Sequence, residues 1–130
     1  MIVLDASAAV DLLVDQEPNA SWVASTIASE PEWHGPELID TEILQALRSR
    51  VARGVLVEDV ASQIVSDLLA IPLRRYPQLP FVSRVWALRG QLTAHDALYV
   101  ALAEALDATL VTTDRRLARA VTTVDVAAPA

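Results

Sequence analysis

Two short runs of residues constrain this chain more than anything else in it. Ile2-Val3-Leu4 leads straight into Asp5, and Thr109-Leu110-Val111 leads through two threonines into Asp114. A strand with one wet face alternates apolar and polar residues. An unbroken apolar run has no wet face, so it belongs in a sheet covered by helices on both sides, and such sheets are parallel. Both runs then finish on a carboxylate at the edge of the core. For Asp5 two readings stand open. Its short side chain can cap the following helix by accepting a hydrogen bond from a free backbone N–H, or it can form one wall of a site.

The segments between the two runs have helical spacing. ASAAVDLLVD follows Asp5, with Ala9, Leu12 and Leu13 on one side, and breaks at Pro18. Residues 20–30 form a second helix carrying Trp22, Val23 and Ile27, ended by Pro31. Residues 33–35 read as a short strand or turn. Residues 38–53 place Ile39, Ile43, Leu47 and Val51 at intervals of four, with Glu42 on the flank and Gly54 as the stop. VEDVASQIVSDLLA is another amphipathic helix, with Val60, Ile64, Val65 and Leu68 inward. IPLRRYP is a short strand or turn bounded by prolines, and LPFVSRVWALRGQ a helix ending near Gly90. A helix over roughly 95–107, the strand ATLVTTD, the short helix RRLARA and a last strand TTVDVA complete the chain, leaving a frayed APA tail. Alternating strands and helices predict an α/β fold with a parallel sheet. At 130 residues, one domain spanning 1–130 is expected.

Composition removes several chemistries. There is no cysteine, hence no disulfide, thiolate metal site or cysteine nucleophile. All ten basic residues are arginine, so no mechanism that needs a lysine applies. No basic segment precedes an apolar stretch at the start and no stretch is long enough to span a bilayer, so a cytoplasmic protein with no membrane association is expected. The net charge of −7 argues against a broadly basic nucleic-acid-binding surface. A cation held inside an acidic pocket escapes that argument.

Four acids are candidates for such a pocket. Ligands of open parallel sheets gather beyond the carboxyl ends of the strands, which is where Asp5 and Asp114 fall. Asp96 opens the helix 95–107, and Glu42 sits in the first turns of the helix 38–53. Each also has a plain structural reading. Asp5 and Asp114 can be helix caps, Asp96 completes the loose capping pattern Thr93-Ala94-His95-Asp96, and Glu42 can be a solvated flank residue. Grouped together, four carboxylates repel one another unless a cation intervenes. Mg²⁺ or Mn²⁺ suits an all-oxygen donor set, and paired ions suit in-line displacement at a phosphodiester.

The order "apolar strand, Asp, small, Ser", then Glu42, then HDALYVALAEALDATLVTTD resembles the PIN-domain nucleases, most nearly the VapC toxins of toxin–antitoxin pairs. The likeness runs along essentially the whole chain. It implies a three-layer α/β/α sandwich with a mainly parallel central sheet. It also implies Mg²⁺- or Mn²⁺-dependent RNA cleavage, a cognate VapB-type antitoxin and a homodimer. Carried over by position, Asp5, Glu42 and Asp96 match the metal-binding acids and Asp114 the fourth acid. Ser7 matches a small hydroxyl residue near the site and Thr113 a hydroxyl beside the last acid. His95 departs from the pattern, since relatives often carry an aromatic such as tyrosine there.

Arginines 48, 50 and 53 follow Glu42, and arginines 115, 116 and 119 follow Asp114, an arrangement that predicts a local basic rim for RNA phosphates. The apolar helices 20–30 and 57–70, with a mean hydropathy of +0.35 for the chain, predict exposed faces for a partner. Receiver domains and haloacid-dehalogenase-like phosphatases also place an aspartate after a first strand, but both normally require a lysine that this chain lacks. The remaining rival is a catalytically silent PIN-like module that binds RNA or protein.

Overall fold

In the computed structural model, which describes residues 1–130, five strands form one sheet in the order β3-β2-β1-β4-β5, every neighbouring pair parallel. The strands are β1 (Ile2–Leu4), β2 (Trp33–Pro36), β3 (Leu73–Tyr76), β4 (Thr109–Val111) and β5 (Val126–Ala127). The helices are α1 (Ala6–Leu13), α2 (Asn19–Ile27), α3 (Leu38–Ala52), α4 (Glu58–Leu68), α5 (Val82–Ala87), α6 (Ala94–Leu106) and α7 (Arg115–Ala120), with a 3₁₀ turn at Leu79–Phe81. Successive parallel strands need right-handed crossovers. The chain moves outward from β1 to β3 and then returns across β1 to β4 and β5, so α1–α4 cover one face and α5–α7 the other. The expected α/β/α sandwich is the architecture found. No helix is long and apolar enough to cross a membrane.

The two apolar runs lie where their composition requires. Val3, Leu4, Leu110 and Val111 are fully buried, and β1 and β4 are paired in register, Leu4 opposite Val111. The reversal of strand order falls between these two strands. Its crevice opens at their carboxyl ends, where the Asp5 N–H donates to the Val111 carbonyl at 2.9 Å. Helix α6 is buried at every position from Ala97 to Ala103, so it is apolar all round and lies as the central helix of its layer. Helix α3 shows a single stripe, burying Ile39, Ile43 and Leu47, and gives way at Gly54 (φ +73°), a left-handed position that favours glycine.

Three local expectations need correction. The segment 79–91 forms only the 3₁₀ turn and the short α5, which stops at Ala87 before the turn that carries Gly90. Helix α2 turns Ala20, Val23 and Ile27 inward, so its apolar side serves the core and offers no partner face. On α4 it is Ala61, Ile64 and Leu68 that are buried, while Val60 is 49% exposed. The segment 57–70 does expose apolar residues as expected, at Val57, Val60 and Leu69 with Leu44 of α3, and a further exposed set, Leu79, Val82 and Trp86, lies around α5. The tail is also tied, since an Arg115 Nη2 donates to the Ala130 carbonyl at 2.8 Å.

Candidate active site

Asp5 stands at the N-cap position of α1 in extended conformation, yet its side chain accepts no capping hydrogen bond. It lies at the carboxyl end of β1 and is 4% exposed. Its Oδ2 accepts from the Ser7 hydroxyl at 2.6 Å and from the Thr112 hydroxyl at 2.8 Å. No protein donor reaches Oδ1, and no buried side-chain oxygen is left without a partner, so Oδ1 keeps contact with solvent. Burial pushes the Asp5 carboxyl up to about 6, against the two hydroxyls, and the charges of Asp96 and Glu42 push it the same way.

The other acids arrive from three different elements. Asp96 lies in the first turn of α6, whose N-cap is Thr93; the Thr93 hydroxyl accepts from the Asp96 N–H at 3.2 Å. Half-burial, with the nearby Asp114 charge, raises the Asp96 carboxyl above its ordinary range, against a lowering by the Thr93 hydroxyl. Asp114 follows β4 and does cap α7: its Oδ1 accepts from the N–H groups of Arg116 at 2.9 Å and Leu117 at 3.2 Å. Asp96 and Asp114 share a polar cleft of about 630 Å³ with Thr93, Arg116 and Arg119. Glu42, on the second turn of α3, borders a smaller hollow of about 230 Å³ with Ser7, Asp11 and Arg50. Its Oε1 accepts from the buried Tyr99 hydroxyl at 2.6 Å.

The charges of Asp96 and Glu42 reach Asp5, and that of Asp114 reaches Asp96, so the four acids are electrostatic neighbours even though Asp114 also caps a helix. They do not form a ready-made cage: no three Asp, Glu or His side chains converge closely enough to surround one ion. Carboxylates without a counterion repel, which opposes closure of such a set. The donor chemistry nonetheless fits a hard divalent cation. Every candidate ligand is a carboxylate oxygen, and the most buried one carries its charge beside two others with a free oxygen available.

The hydroxyl residues make the following contacts. Ser7 binds Asp5 directly. Thr113 makes no hydrogen bond to the four acids themselves: its hydroxyl donates to Asp11 Oδ2 at 2.8 Å and its N–H to Ser7 Oγ at 3.3 Å, two residues that border the hollow of Glu42. Thr112 is the hydroxyl on Asp5. Both threonines lie beyond the end of β4, so no strand pattern in the sequence separates them. Tyr99 went unnoticed in the sequence because, at helical spacing, it reads as a core aromatic, and it is one. His95 lines an apolar cleft with Leu38, Trp86 and Arg89, on α6 but apart from the acids' polar cleft. Among the six rim arginines, Arg116 and Arg119 line the cleft of Asp96, and Arg50 the hollow of Glu42. Arg48 lines the groove between α3 and α4, Arg53 bonds the Ser49 carbonyl, and Arg115 holds the tail.

Comparison with known proteins identifies the family. The PIN domain profile matches residues 2–122. Ribonuclease VapC12 of Mycobacterium tuberculosis is 41% identical over 119 residues, covering 92% of this chain and 91% of the relative. Among solved structures, VapBC2 from Rickettsia felis, bound to a DNA fragment from its promoter, superposes with a TM-score of 0.73 at 14% identity, covering all of both chains. The M. tuberculosis toxin VapC20, described as cleaving the sarcin-ricin loop, gives a TM-score of 0.72 at 15% identity, covering 92% of this chain and 95% of that one. At those identities the two structures speak for the fold alone. With the profile spanning nearly the whole length and a close relative covered almost end to end, the chain belongs to the PIN-domain family, among the VapC ribonucleases.

Proposed function

We propose that this chain, folded as one PIN domain, is a cytoplasmic Mg²⁺- or Mn²⁺-dependent endoribonuclease, the toxin of a type II toxin–antitoxin pair. The observation that carries the reading is Asp5. Its carboxylate is buried, raised to about 6, free of capping duty and open at one oxygen, and its two hydroxyl partners occupy only the other oxygen. Burying it costs stability, and a cation in the crevice removes that cost.

Asp5, Glu42 and Asp96 are the residues that would hold the ion, and Asp114 reaches the same cleft with the oxygen its cap leaves unused. A bound ion of this class supplies a nucleophilic water and neutralises charge developing on the phosphodiester. The chain's own groups do the rest. Ser7 and Thr112 fix Oδ2 of Asp5, so that Oδ1 is the oxygen presented. Arg116 and Arg119, on the wall of the cleft, bind the phosphates flanking the scissile bond. They let RNA approach a chain whose net charge is −7. The proposed partners are a VapB-type antitoxin and a second copy of the chain, and the two separate exposed apolar patches leave room for both.

The test is incubation of the purified protein with a mixed RNA pool, with and without Mg²⁺ or Mn²⁺, beside Glu42→Gln and Asp96→Asn variants. Cleavage is expected only with metal and only from the unmodified chain. Equal products from the variants would overturn the assignment and leave the silent, RNA- or protein-binding module. A pH series adds a second expectation. Protons compete for the Asp5 carboxylate below about 6, so Mn²⁺ affinity measured by calorimetry is expected to fall about tenfold for each pH unit below that point. A flat profile from pH 5 to 7 would remove Asp5 from the ligand set.

A further inference from the structure

We propose that Tyr99 is a positioning residue for Glu42, holding one carboxylate oxygen so that the other is presented to the divalent ion; this rests on the metal reading given above. Tyr99 is 1% exposed, with its ring inside the hydrophobic core. Its hydroxyl donates to Glu42 Oε1 at 2.6 Å, joining α6 to α3. This is the only hydrogen bond made by either group's side-chain oxygens, and no arginine pairs with Glu42.

Phenylalanine would fill the same core volume without bringing a polar atom into it. The hydroxyl therefore has one use, and that use is Glu42. A phenol is the donor and a carboxylate the acceptor in such a pair, so the direction of donation is fixed. Tyr99 also sits three residues beyond Asp96, about one helical turn. One helix thus carries a candidate ligand and grips another that belongs to α3. A glutamate on a helix flank has several rotamers open to it, and ordering it around an ion costs side-chain entropy. The tyrosine meets that cost in the folded protein, before any ion arrives. Partners behind a metal ligand of this kind typically change affinity by 10- to 100-fold.

The experiment measures Mn²⁺ affinity by calorimetry, and the fold by circular dichroism, for the unmodified chain, Tyr99→Phe, Glu42→Gln and the double variant. Tyr99→Phe is expected to stay folded, to bind Mn²⁺ about tenfold more weakly, and to recover near-normal RNA cleavage at saturating metal. In the Glu42→Gln background, Tyr99→Phe is expected to change Mn²⁺ affinity no further. Full Mn²⁺ affinity in Tyr99→Phe, or additive losses in the double variant, would overturn the proposal. A readout independent of any variant's folding is fluorotyrosine labelling. The chain has two tyrosines, and the ¹⁹F resonance of Tyr99, not that of Tyr76, is expected to move on Mg²⁺ addition. A stationary Tyr99 signal at saturating Mg²⁺ would overturn it as well. Absence of Mn²⁺ binding by the unmodified chain would sink the metal reading itself, and this inference with it.

Discussion

Replacing Asp5 by asparagine is expected to reduce RNA cleavage to background while making the metal-free protein more stable at pH 7. The two effects have one origin. The Asp5 carboxyl rises from 3.8 to about 6 on folding, mainly through burial. That gap corresponds to about 3 kcal/mol by which the folded state disfavours the ionised form at neutral pH. Because the folded value lies above the unfolded one, the contribution of Asp5 is fully favourable below 3.8 and is lost as pH rises through about 6. Asparagine carries no charge at any pH, and its amide can still meet the Ser7 and Thr112 hydroxyls. The variant is therefore expected to melt roughly 5–10 °C higher at pH 7, with the gain shrinking to nothing near pH 4. Calorimetric melting across pH 4–7, paired with a cleavage assay, checks both halves. A variant that loses activity and stability together at pH 7 would make Asp5 an ordinary structural acid.

Thr112→Val is expected to have the second-largest effect, and in the opposite direction for stability. Thr112 is completely buried and its hydroxyl serves three neighbours. It donates to Asp5 Oδ2 at 2.8 Å, accepts from the Asp114 N–H at 3.0 Å, and lies 3.2 Å from the Ser7 hydroxyl. Valine keeps the volume and removes all of these. Buried groups left without partners cost about 1–3 kcal/mol. The loss should be larger at pH 7 than at pH 4, because the Thr112 hydroxyl opposes the rise of the Asp5 carboxyl. Metal-dependent cleavage is expected to fall by about 10- to 100-fold, the usual cost of removing a group that orients a ligand. The corresponding Thr113→Val change, which loses only the bond to Asp11, is expected to leave cleavage largely intact.

The architecture was legible in the sequence because its signals are local. An unbroken apolar run cannot sit at a wet surface, which places β1 and β4 at the centre of the sheet. A stripe at intervals of four, as in Ile39, Ile43 and Leu47, can only be a helix facing a core. The departures were also local in cause. Val60 lies at the right spacing for burial, but nothing packs over it. The spacing defines which residues share a face, and only the neighbours define whether that face is covered. For the site, the acids themselves were legible from their order along the chain and from the family likeness that this order carries. Their partners were not. Thr112 and Thr113 are the same residue type, and they are told apart only by the contacts the fold gives them, Thr112 with Asp5 and Thr113 with Asp11. Tyr99 looks like any core aromatic until α3 is laid beside it.

Taken alone, the sequence determined the fold class, the parallel sheet, the absence of thiol and lysine chemistry, and the set of acids worth considering. All of these follow from residue type and spacing, which the unfolded chain already possesses. Only the tertiary structure decided that Asp5 is no cap while Asp114 is one, that Asp5 leaves an oxygen open, and that Tyr99 reaches Glu42. Those are contacts between residues up to 107 positions apart. Such contacts, and the burial that shifts a carboxyl, exist only when separate elements meet at the edge of one sheet.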